Sequence, residues 1–198
     1  FVQLPEGQRL TWGQIETINA AELACFTIED DAPHKVQFFS EQLNRYYSLM
    51  PTEKAPTMLI SGIPMHRIKG TNPWRDTESK IKAAAPVVGA VLDTTMGLGY
   101  TALMAARTAD EVLTIELDPT VEEVCRRNPW SGELFTNPKI SRVIGDAAEV
   151  VVGMGDGRFH RIIHDPPMFS LAGHLYAAEF YRELYRILKP KGRLFHYI

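Results

Sequence analysis

The sequence has little cysteine, no long apolar run and no strong excess of either charge. Its two cysteines, Cys25 and Cys125, lie far apart and outside any metal-ligand spacing, which argues against a disulfide framework and for a reducing compartment. No apolar stretch approaches the about 18 residues that a membrane-spanning helix needs. The first residues lack the charged lead and apolar block of a signal peptide. We therefore expect a cytoplasmic protein that makes no membrane contact.

The charge balance also limits the possible functions. The 198 residues carry 21 Lys and Arg against 24 Asp and Glu, for a net charge of -3. A nucleic-acid-binding protein that is basic throughout is not indicated, although a local basic face is compatible with this balance. Apolar residues make up 45% and charged residues 23%, which is ordinary for a folded protein and excludes disorder of the whole chain.

The pattern of the chain changes near residue 85. Beyond it, short β-branched runs alternate with helical patterns, which is typical of a parallel α/β sheet. Strands are predicted at 90–93, 111–117, 140–145, 161–164 and 193–198, and helices at 100–108, from Asp118-Pro119 to about 128, and at 180–188. We predict an α/β domain over residues 86–198.

Residues 1–85 are irregular and rich in aromatic side chains. Five of these residues fit one face of a helix: Val36, Phe39, Leu43, Tyr47 and Met50. The stretches 57–60 and 63–68 predict a hairpin around Ser61-Gly62, and a helix is predicted to start at Asn72-Pro73 or at Asp76 and to end near 85. We predict a small α+β cap over residues 1–85, with either a structural role or a role in substrate recognition.

A glycine-rich turn follows the first strand of the α/β domain. Gly97, Gly99 and Ala102 match the G-x-G-x-x-(G/A) template, in which the backbone approaches a ligand closely. Asp93, at the strand end, would repel a pyrophosphate but attract the ammonium and sulfonium groups of S-adenosylmethionine. The turn therefore favours this cofactor over NAD. The alternative is that Asp93 only caps the following helix.

Two further acidic residues lie at the ends of the next two strands: Glu116 ends the second, and Asp146 follows the third. Glu116 would accept hydrogen bonds from ribose hydroxyls, unless it is a solvated strand-end carboxylate, and Asp146 would accept from an adenine amine. Parallel strands end at one sheet edge, where ligands bind. The remaining predicted cofactor contacts adjoin these acids: Thr94, Tyr100, Thr101, Leu117 and Ala147. For Tyr100, helix packing is the alternative.

The fourth strand stops at Asp165-Pro166-Pro167-Met168, which we name the acceptor loop. The four motifs, in this order, resemble those of the class I S-adenosylmethionine-dependent methyltransferases over roughly residues 75–198. The whole chain also resembles an uncharacterised archaeal branch of predicted methyltransferases, through segments 61–67 and 72–76. The resemblance implies a Rossmann-like sheet with helices on both faces, and S-adenosylmethionine as the cofactor.

The acceptor loop suits an amine nucleophile. Two prolines stiffen the loop and remove two N–H donors. The Asp165 side chain and the Pro166 carbonyl would accept N–H groups of the acceptor and aim its lone pair at the methyl group, so that positioning supplies most of the catalysis. Met168 stands where nucleobase methyltransferases carry an aromatic residue, a place that its thioether or Phe169 would fill. We predict that Asp165, Pro166, Pro167 and Met168 act in methyl transfer to an amine or base nitrogen of RNA.

Several alternatives stay open. A basic stretch would either contact RNA phosphates or form a solvated helix end: Arg182, Arg186, Lys189, Lys191 and Arg193. The other candidate functions are methyl or aminopropyl transfer to a small amine or polyamine, an NAD-linked oxidoreductase, and a non-catalytic binding module. No metal site is predicted, since His160 and His164 would lie about 13 Å apart on a strand.

The resemblance also concerns the end of the sheet. The family resembled has a seven-stranded sheet, whereas five strands are visible here, the last reaching Ile198. We expect either a longer natural chain or strands supplied from elsewhere. On that expectation the sheet edge is exposed, and the chain as given is weakly active or inactive.

Overall fold

The computed structural model describes residues 1–197, and its centre is a parallel sheet covered by helices on both faces. The strands are β1 (Val2–Gln3), β2 (Arg9–Leu10), β3 (Phe26–Glu29), β4 (Ala32–Lys35), β5 (Gln37–Ser40), β6 (Arg45–Met50), β7 (Thr57–Ile60), β8 (Ile63–Pro64), β9 (Ala90–Asp93), β10 (Glu111–Glu116), β11 (Ile140–Ile144), β12 (Phe159–His164) and β13 (Leu188–His196). The helices are α1 (Trp12–Ala20), α2 (Pro73–Ala84), α3 (Tyr100–Ala105), α4 (Thr120–Arg126), α5 (Glu133–Thr136), α6 (Ala147–Val150), α7 (Phe169–Ala172) and α8 (Ala178–Ile187).

The five strands of the α/β domain form one sheet in the order β11-β10-β9-β12-β13. All four neighbouring pairs are parallel, so the predicted Rossmann-like α/β class is confirmed. The predicted strands are present with shifted ends. The fifth begins at Leu188 rather than Arg193, and its predicted last residue, Ile198, lies outside the described residues.

Alternating side chains of the sheet enter two separate cores. Val91 and Ile163 pack on the face that carries the cap, α3 and α4. Leu92 and Ile162, their neighbours in sequence, pack on the opposite face with residues of α6 and α8. Because successive strand residues point to opposite faces, strands buried on both sides read as continuous apolar runs.

The predicted helix through residues 36–50 is wrong, because this segment forms the antiparallel strands β5 and β6. Asn44, with φ of 51°, closes the turn between them, and Leu43 lies in that turn. Phe38, Phe39, Tyr46 and Tyr47 flank it, and aromatic residues favour strands. Apolar residues three or four apart in sequence fit a helix face, but the pairing of the two strands decides the outcome.

The hairpin and the helix predicted at the end of the cap are confirmed. Ser61 and Gly62, with φ of 48° and 87°, form the two-residue turn between β7 and β8, and positive φ at both positions is typical of such turns. Helix α2 begins after Asn72, whose side chain accepts from the Arg75 amide, with Pro73 in the first turn.

The cap covers the face of the sheet that carries α3 and α4. Strands β5 to β8 form a four-stranded sheet, and Tyr47, Leu49, Met58 and Ile60 from it join the core of that face. The cap therefore lies over the sheet edge at which the strand-end acids gather. No helix within residues 1–197 has the length and apolar character to cross a membrane.

Candidate functional site

A cavity opens at the carboxyl edge of the sheet, beneath the cap. Most of the predicted site residues line it: Thr94, Gly97, Tyr100, Thr101, Glu116, Leu117, Asp146, Ala147, Asp165, Pro166 and Pro167. Cap residues for which the sequence predicted no ligand contact line it too, namely Leu43, Arg45, Met58, Ile60, Met65 and His66. The cap thus contributes one wall of the site, which favours a role in recognition over a purely structural one.

Three predicted site residues do not line the cavity. Asp93 is fully buried beside it, and Gly99 lies at the start of α3. Met168 is 48% exposed and Phe169 is 69% exposed, next to the cavity wall formed by Pro167. Met168 and Phe169 therefore present apolar surface to solvent beside the cavity.

Asp93 is an acid held in a dry environment. One oxygen accepts from the Thr114 hydroxyl at 2.8 Å, while Oδ1 is buried without a partner among the residues described. Burial raises the pKa of Asp93 to about 8, with a smaller contribution from the charges of Asp165 and Glu116 and against the opposing effect of hydrogen bonding to Thr114 and the Thr95 backbone. A cation above Asp93 would favour its ionised form, which agrees with the predicted attraction of a sulfonium.

The two glycines of the turn have different roles. Gly99 has φ of +76°, and a Cβ there would lie 2.7 Å from Leu134 Cδ2, so close helix packing requires this glycine. Gly97 has φ of +51°, and a Cβ there would meet nothing within 4 Å. Since Gly97 lines the cavity, its open side leaves room for a ligand against the backbone, as the glycine template requires.

Glu116 connects the second strand to the glycine turn. Its Oε2 accepts from the Gly97 amide at 3.0 Å and its Oε1 from the Asp118 amide at 3.1 Å. Burial raises the pKa of Glu116 to about 7, against these hydrogen bonds. The carboxylate thus orients the turn, and it lines the cavity where the sequence predicts a ribose contact.

Asp146 has a structural role in addition to the predicted one. Its Oδ1 accepts from the Ala148 amide at 2.8 Å, which caps α6. Its Oδ2 lies 3.0 Å from His174 Nε2, and both residues line the cavity. The second oxygen therefore stays outside the helix cap, in contact with another residue of the cavity wall.

The acceptor loop is held by hydrogen bonds to its carbonyls. The Thr95 hydroxyl donates to the Asp165 carbonyl at 2.8 Å, and the Tyr176 hydroxyl donates to the Pro167 carbonyl at 2.9 Å. Between them, the Pro166 carbonyl accepts no hydrogen bond from the residues described. This is the carbonyl that the sequence assigns to an acceptor N–H.

The sequence reasoning missed Lys80, which reaches the acceptor loop from α2. Its Nζ lies 2.6 Å from Asp165 Oδ2 and 2.9 Å from Asp76 Oδ2. The spacing of Asp76 and Lys80 is visible in the sequence as an i,i+4 pair. Nothing in the sequence indicates the contact with Asp165, which lies in another part of the chain.

His164 is fully buried and acts on Thr94 rather than on the acceptor. Its Nδ1 lies 2.8 Å from Thr94 Oγ1 and its Nε2 lies 3.1 Å from the Leu175 carbonyl. Burial lowers the pKa of His164 to about 4, so the ring is neutral. A carbonyl only accepts, so Nε2 carries the proton and Nδ1 accepts from Thr94. The lone pairs of the Thr94 hydroxyl oxygen therefore remain available to accept a hydrogen bond from a ligand in the cavity.

The basic stretch near the end of the chain carries less free positive charge than its sequence indicates. Arg186 pairs with Asp156 and Glu183, and Arg182 pairs with Glu179, so acids neutralise part of the basic stretch. Within the described chain, no three His, Cys, Asp or Glu side chains are grouped to hold a metal.

Tyr100 joins the cap to the glycine turn. Its hydroxyl donates to the Pro56 carbonyl and accepts from Asn128 Nδ2, both at 2.9 Å. Replacing Tyr100 by phenylalanine leaves the buried Pro56 carbonyl and one N–H of Asn128 without a partner, and we expect the free energy of unfolding in urea to fall by about 1–3 kcal/mol. Affinity for S-adenosylmethionine, measured by calorimetry, should change little because the ring remains. The control is Tyr46→Phe, at a residue 51% exposed; an equal loss in both variants would contradict this role.

Comparison with known proteins finds one relative in sequence and several solved structures with a similar fold. No family model matches the chain. The chain is 47% identical over 199 aligned positions to the uncharacterised protein MJ1233 of Methanocaldococcus jannaschii, in an alignment that covers 100% of this chain and 67% of that protein.

Among solved structures, a spermidine synthase in complex with the transition-state analogue AdoDATO superposes with a TM-score of 0.67 at 18% identity, over 85% of this chain and 61% of that one. The spermidine synthase of Thermotoga maritima gives 0.64 at 20% identity, over 85% and 60%. This chain spans about three fifths of these two structures. At such identities the similarity shows the fold alone, which this chain shares with these two structures. The superposition covers 85% of this chain, which is a longer stretch than residues 86–198. The shared fold therefore includes part of the cap.

Proposed function

We propose that this chain, which belongs to the family of the Methanocaldococcus jannaschii protein MJ1233, transfers a methyl group from S-adenosylmethionine to a nitrogen acceptor. The observation that carries the proposal is that one cavity is lined by the open side of Gly97, by Glu116 and Asp146, and by the acceptor loop. A nucleoside cofactor bound by the first three residues would lie beside the fourth element, where an acceptor can be positioned.

The residues present fit S-adenosylmethionine. Glu116 would hold the ribose, Asp146 would accept from the adenine amine, and Thr94 offers oxygen lone pairs beside the buried Asp93. The cofactor would supply an electrophilic methyl group on a sulfonium. Asp165 and the Pro166 carbonyl would then accept the N–H groups of the acceptor and hold its lone pair in line, which is catalysis by positioning.

An RNA base is the acceptor that we favour. Met168 and Phe169 expose apolar surface beside the cavity, and a base turned out of its strand stacks on such side chains. The partial neutralisation of the basic stretch means that phosphate contacts would have to come from elsewhere, for instance from Arg45 at the cavity wall.

Aminopropyl transfer to a polyamine is the second candidate. It is favoured by the fold similarity to spermidine synthases, which extends into the cap. Such a reaction would use the decarboxylated cofactor, and the same carboxylates would bind its nucleoside.

The nucleoside by-product separates the two reactions. Incubation with S-adenosylmethionine and total RNA should yield S-adenosylhomocysteine and methylated RNA, resolved by liquid chromatography and mass spectrometry. Incubation with decarboxylated cofactor and putrescine should yield no methylthioadenosine. The reverse result would select aminopropyl transfer. If neither by-product forms although the cofactor binds in calorimetry, both proposals are wrong and a non-catalytic binding module is favoured.

A further inference from the structure

Lys80 places a buried positive charge against the acceptor loop. Its ammonium contacts carboxylates of Asp76 and Asp165, and it lies 4.0 Å from the ring centre of Tyr197. The Lys80 side chain is 5% exposed. Burial disfavours the charged form, but Asp165 and Asp76 outweigh it and raise the pKa of Lys80 above its usual value. Lys80 therefore remains an ammonium ion at neutral pH.

This ammonium changes what Asp165 can do. Oδ2 of Asp165 is occupied by Lys80, and the rest of the residue borders the cavity. Burial raises the pKa of the Asp165 carboxyl, and the Lys80 charge opposes that rise. Asp165 is left with oxygen lone pairs that can accept an N–H, but it binds a proton less readily than an unpaired carboxylate at the same depth would.

The other titratable groups around Asp165 do not replace this effect. They are Asp76 on α2, Asp93 on β9, Tyr176, His196 on β13, and Tyr197. Asp76 adds negative charge, and burial lowers the pKa of His196. His66, another cavity residue, is kept neutral because burial and Lys80 lower its pKa to about 3. Lys80 is thus the cation that compensates the Asp165 carboxylate.

These contacts determine which nitrogen can react. An alkylammonium must lose a proton before its lone pair is free, and the Lys80 ammonium, 2.6 Å from Asp165 Oδ2, opposes transfer of that proton to Asp165. An exocyclic amine or ring nitrogen of a nucleobase is already uncharged at neutral pH. On the basis of the proposed function, we infer that Lys80 is a specificity-determining residue, which restricts the reaction to acceptor nitrogens that are uncharged before they bind.

The step balances without a strong base. The nitrogen lone pair forms the new N–C bond while the C–S bond breaks, and its electrons return to sulfur as a neutral thioether. An exocyclic amine takes up the positive charge and then loses one proton to water, keeping its other N–H, whereas a ring nitrogen without an N–H keeps the positive charge and leaves the neighbouring amine N–H to Asp165. Asp165 holds an N–H throughout.

The first test compares Lys80→Met with a matched variant on the same helix, Lys82→Met, whose lysine is exposed. Transfer of labelled methyl from S-adenosylmethionine is measured with total RNA and with putrescine. We expect the wild type and Lys82→Met to label RNA in strong preference to putrescine. In Lys80→Met, the ratio of RNA labelling to putrescine labelling should fall by about tenfold or more. A tenfold change corresponds to a rise of one unit in the pKa of Asp165. An unchanged ratio would overturn the inference.

The second test needs no substitution, and it serves if Lys80→Met does not fold. With wild type and putrescine, kcat/KM should rise about tenfold per pH unit above neutral, since only the amine already deprotonated in solution reacts. With RNA, and with S-adenosylmethionine saturating in both assays, the profile should be flat over the same range. A flat profile with putrescine would show that the site removes the proton itself, which contradicts the role of Lys80. Wild type that labels no acceptor at all would instead overturn the proposed function.

Discussion

Asp165→Asn is expected to reduce methyl transfer about a hundredfold or more while affinity for S-adenosylmethionine stays within about threefold, because loss of acceptor alignment alone has effects of this size. Lys80 contacts the loop through this carboxylate, to which the proposed function also assigns the N–H of the acceptor. An asparagine keeps one oxygen, but its amide end would repel either the Lys80 ammonium or the acceptor N–H.

The measurement is single-turnover transfer to RNA, with cofactor affinity measured separately by calorimetry. Asp156→Asn is the matched control, because Asp156 is an exposed acid that pairs with Arg186 and precedes β12, whereas the loop follows the other end of that strand. We expect wild-type rates from this control. Equal rates for wild type and Asp165→Asn would show that the acceptor loop does not position the nitrogen, and a large loss of cofactor affinity would place Asp165 in the cofactor site instead.

The residues that could be predicted are those whose role depends on their place in a strand or turn. Glu116, Asp146 and Asp165 follow parallel strands, so the topology alone brings them to one edge. Lys80 could not be found in this way, because its partner is fixed by how α2 packs against the loop. The strands around Asn44 were missed because spacing of three or four residues does not distinguish a helix face from paired strands.

Burial was also invisible in the sequence, and it changes the chemistry of the predicted acids. Asp93 was expected to face the cofactor as an open carboxylate. The structure encloses it against Thr114, one residue before the cavity wall at Thr94. Its influence on a ligand is therefore through charge, and that charge depends on pH.

Asp93→Asn is expected to stabilise the fold at alkaline pH and to weaken binding of the cationic cofactor. The pKa of Asp93 is raised to about 8 in the folded chain from an ordinary value of 3.8. The folded state therefore holds a proton that the unfolded state has lost, and stability from this group falls as pH rises from about 4 to 8. Each unit of pKa difference corresponds to about 1.4 kcal/mol. An asparagine cannot ionise and avoids this loss.

The test is the melting temperature of wild type and Asp93→Asn across that range. The two should melt together at the acid end, and the variant should melt higher by at least about 2–4 °C at the alkaline end, the shift for about 1 kcal/mol in a chain of this size. Asp110→Asn, at an exposed acid, should follow wild type throughout. A constant difference at all pH values would contradict ionisation as the cause.

Ligand binding provides the functional half of the same prediction. S-adenosylmethionine carries a sulfonium charge that S-adenosylhomocysteine lacks, so its binding should lower the pKa of Asp93 and release a proton. Calorimetry in buffers of different ionisation enthalpy should detect that release in wild type and not in Asp93→Asn. The variant should also lose affinity for the sulfonium ligand more than for the thioether. Equal losses for both ligands would mean that Asp93 shapes the site instead of attracting charge, and the sequence argument for this cofactor over NAD would lose its basis.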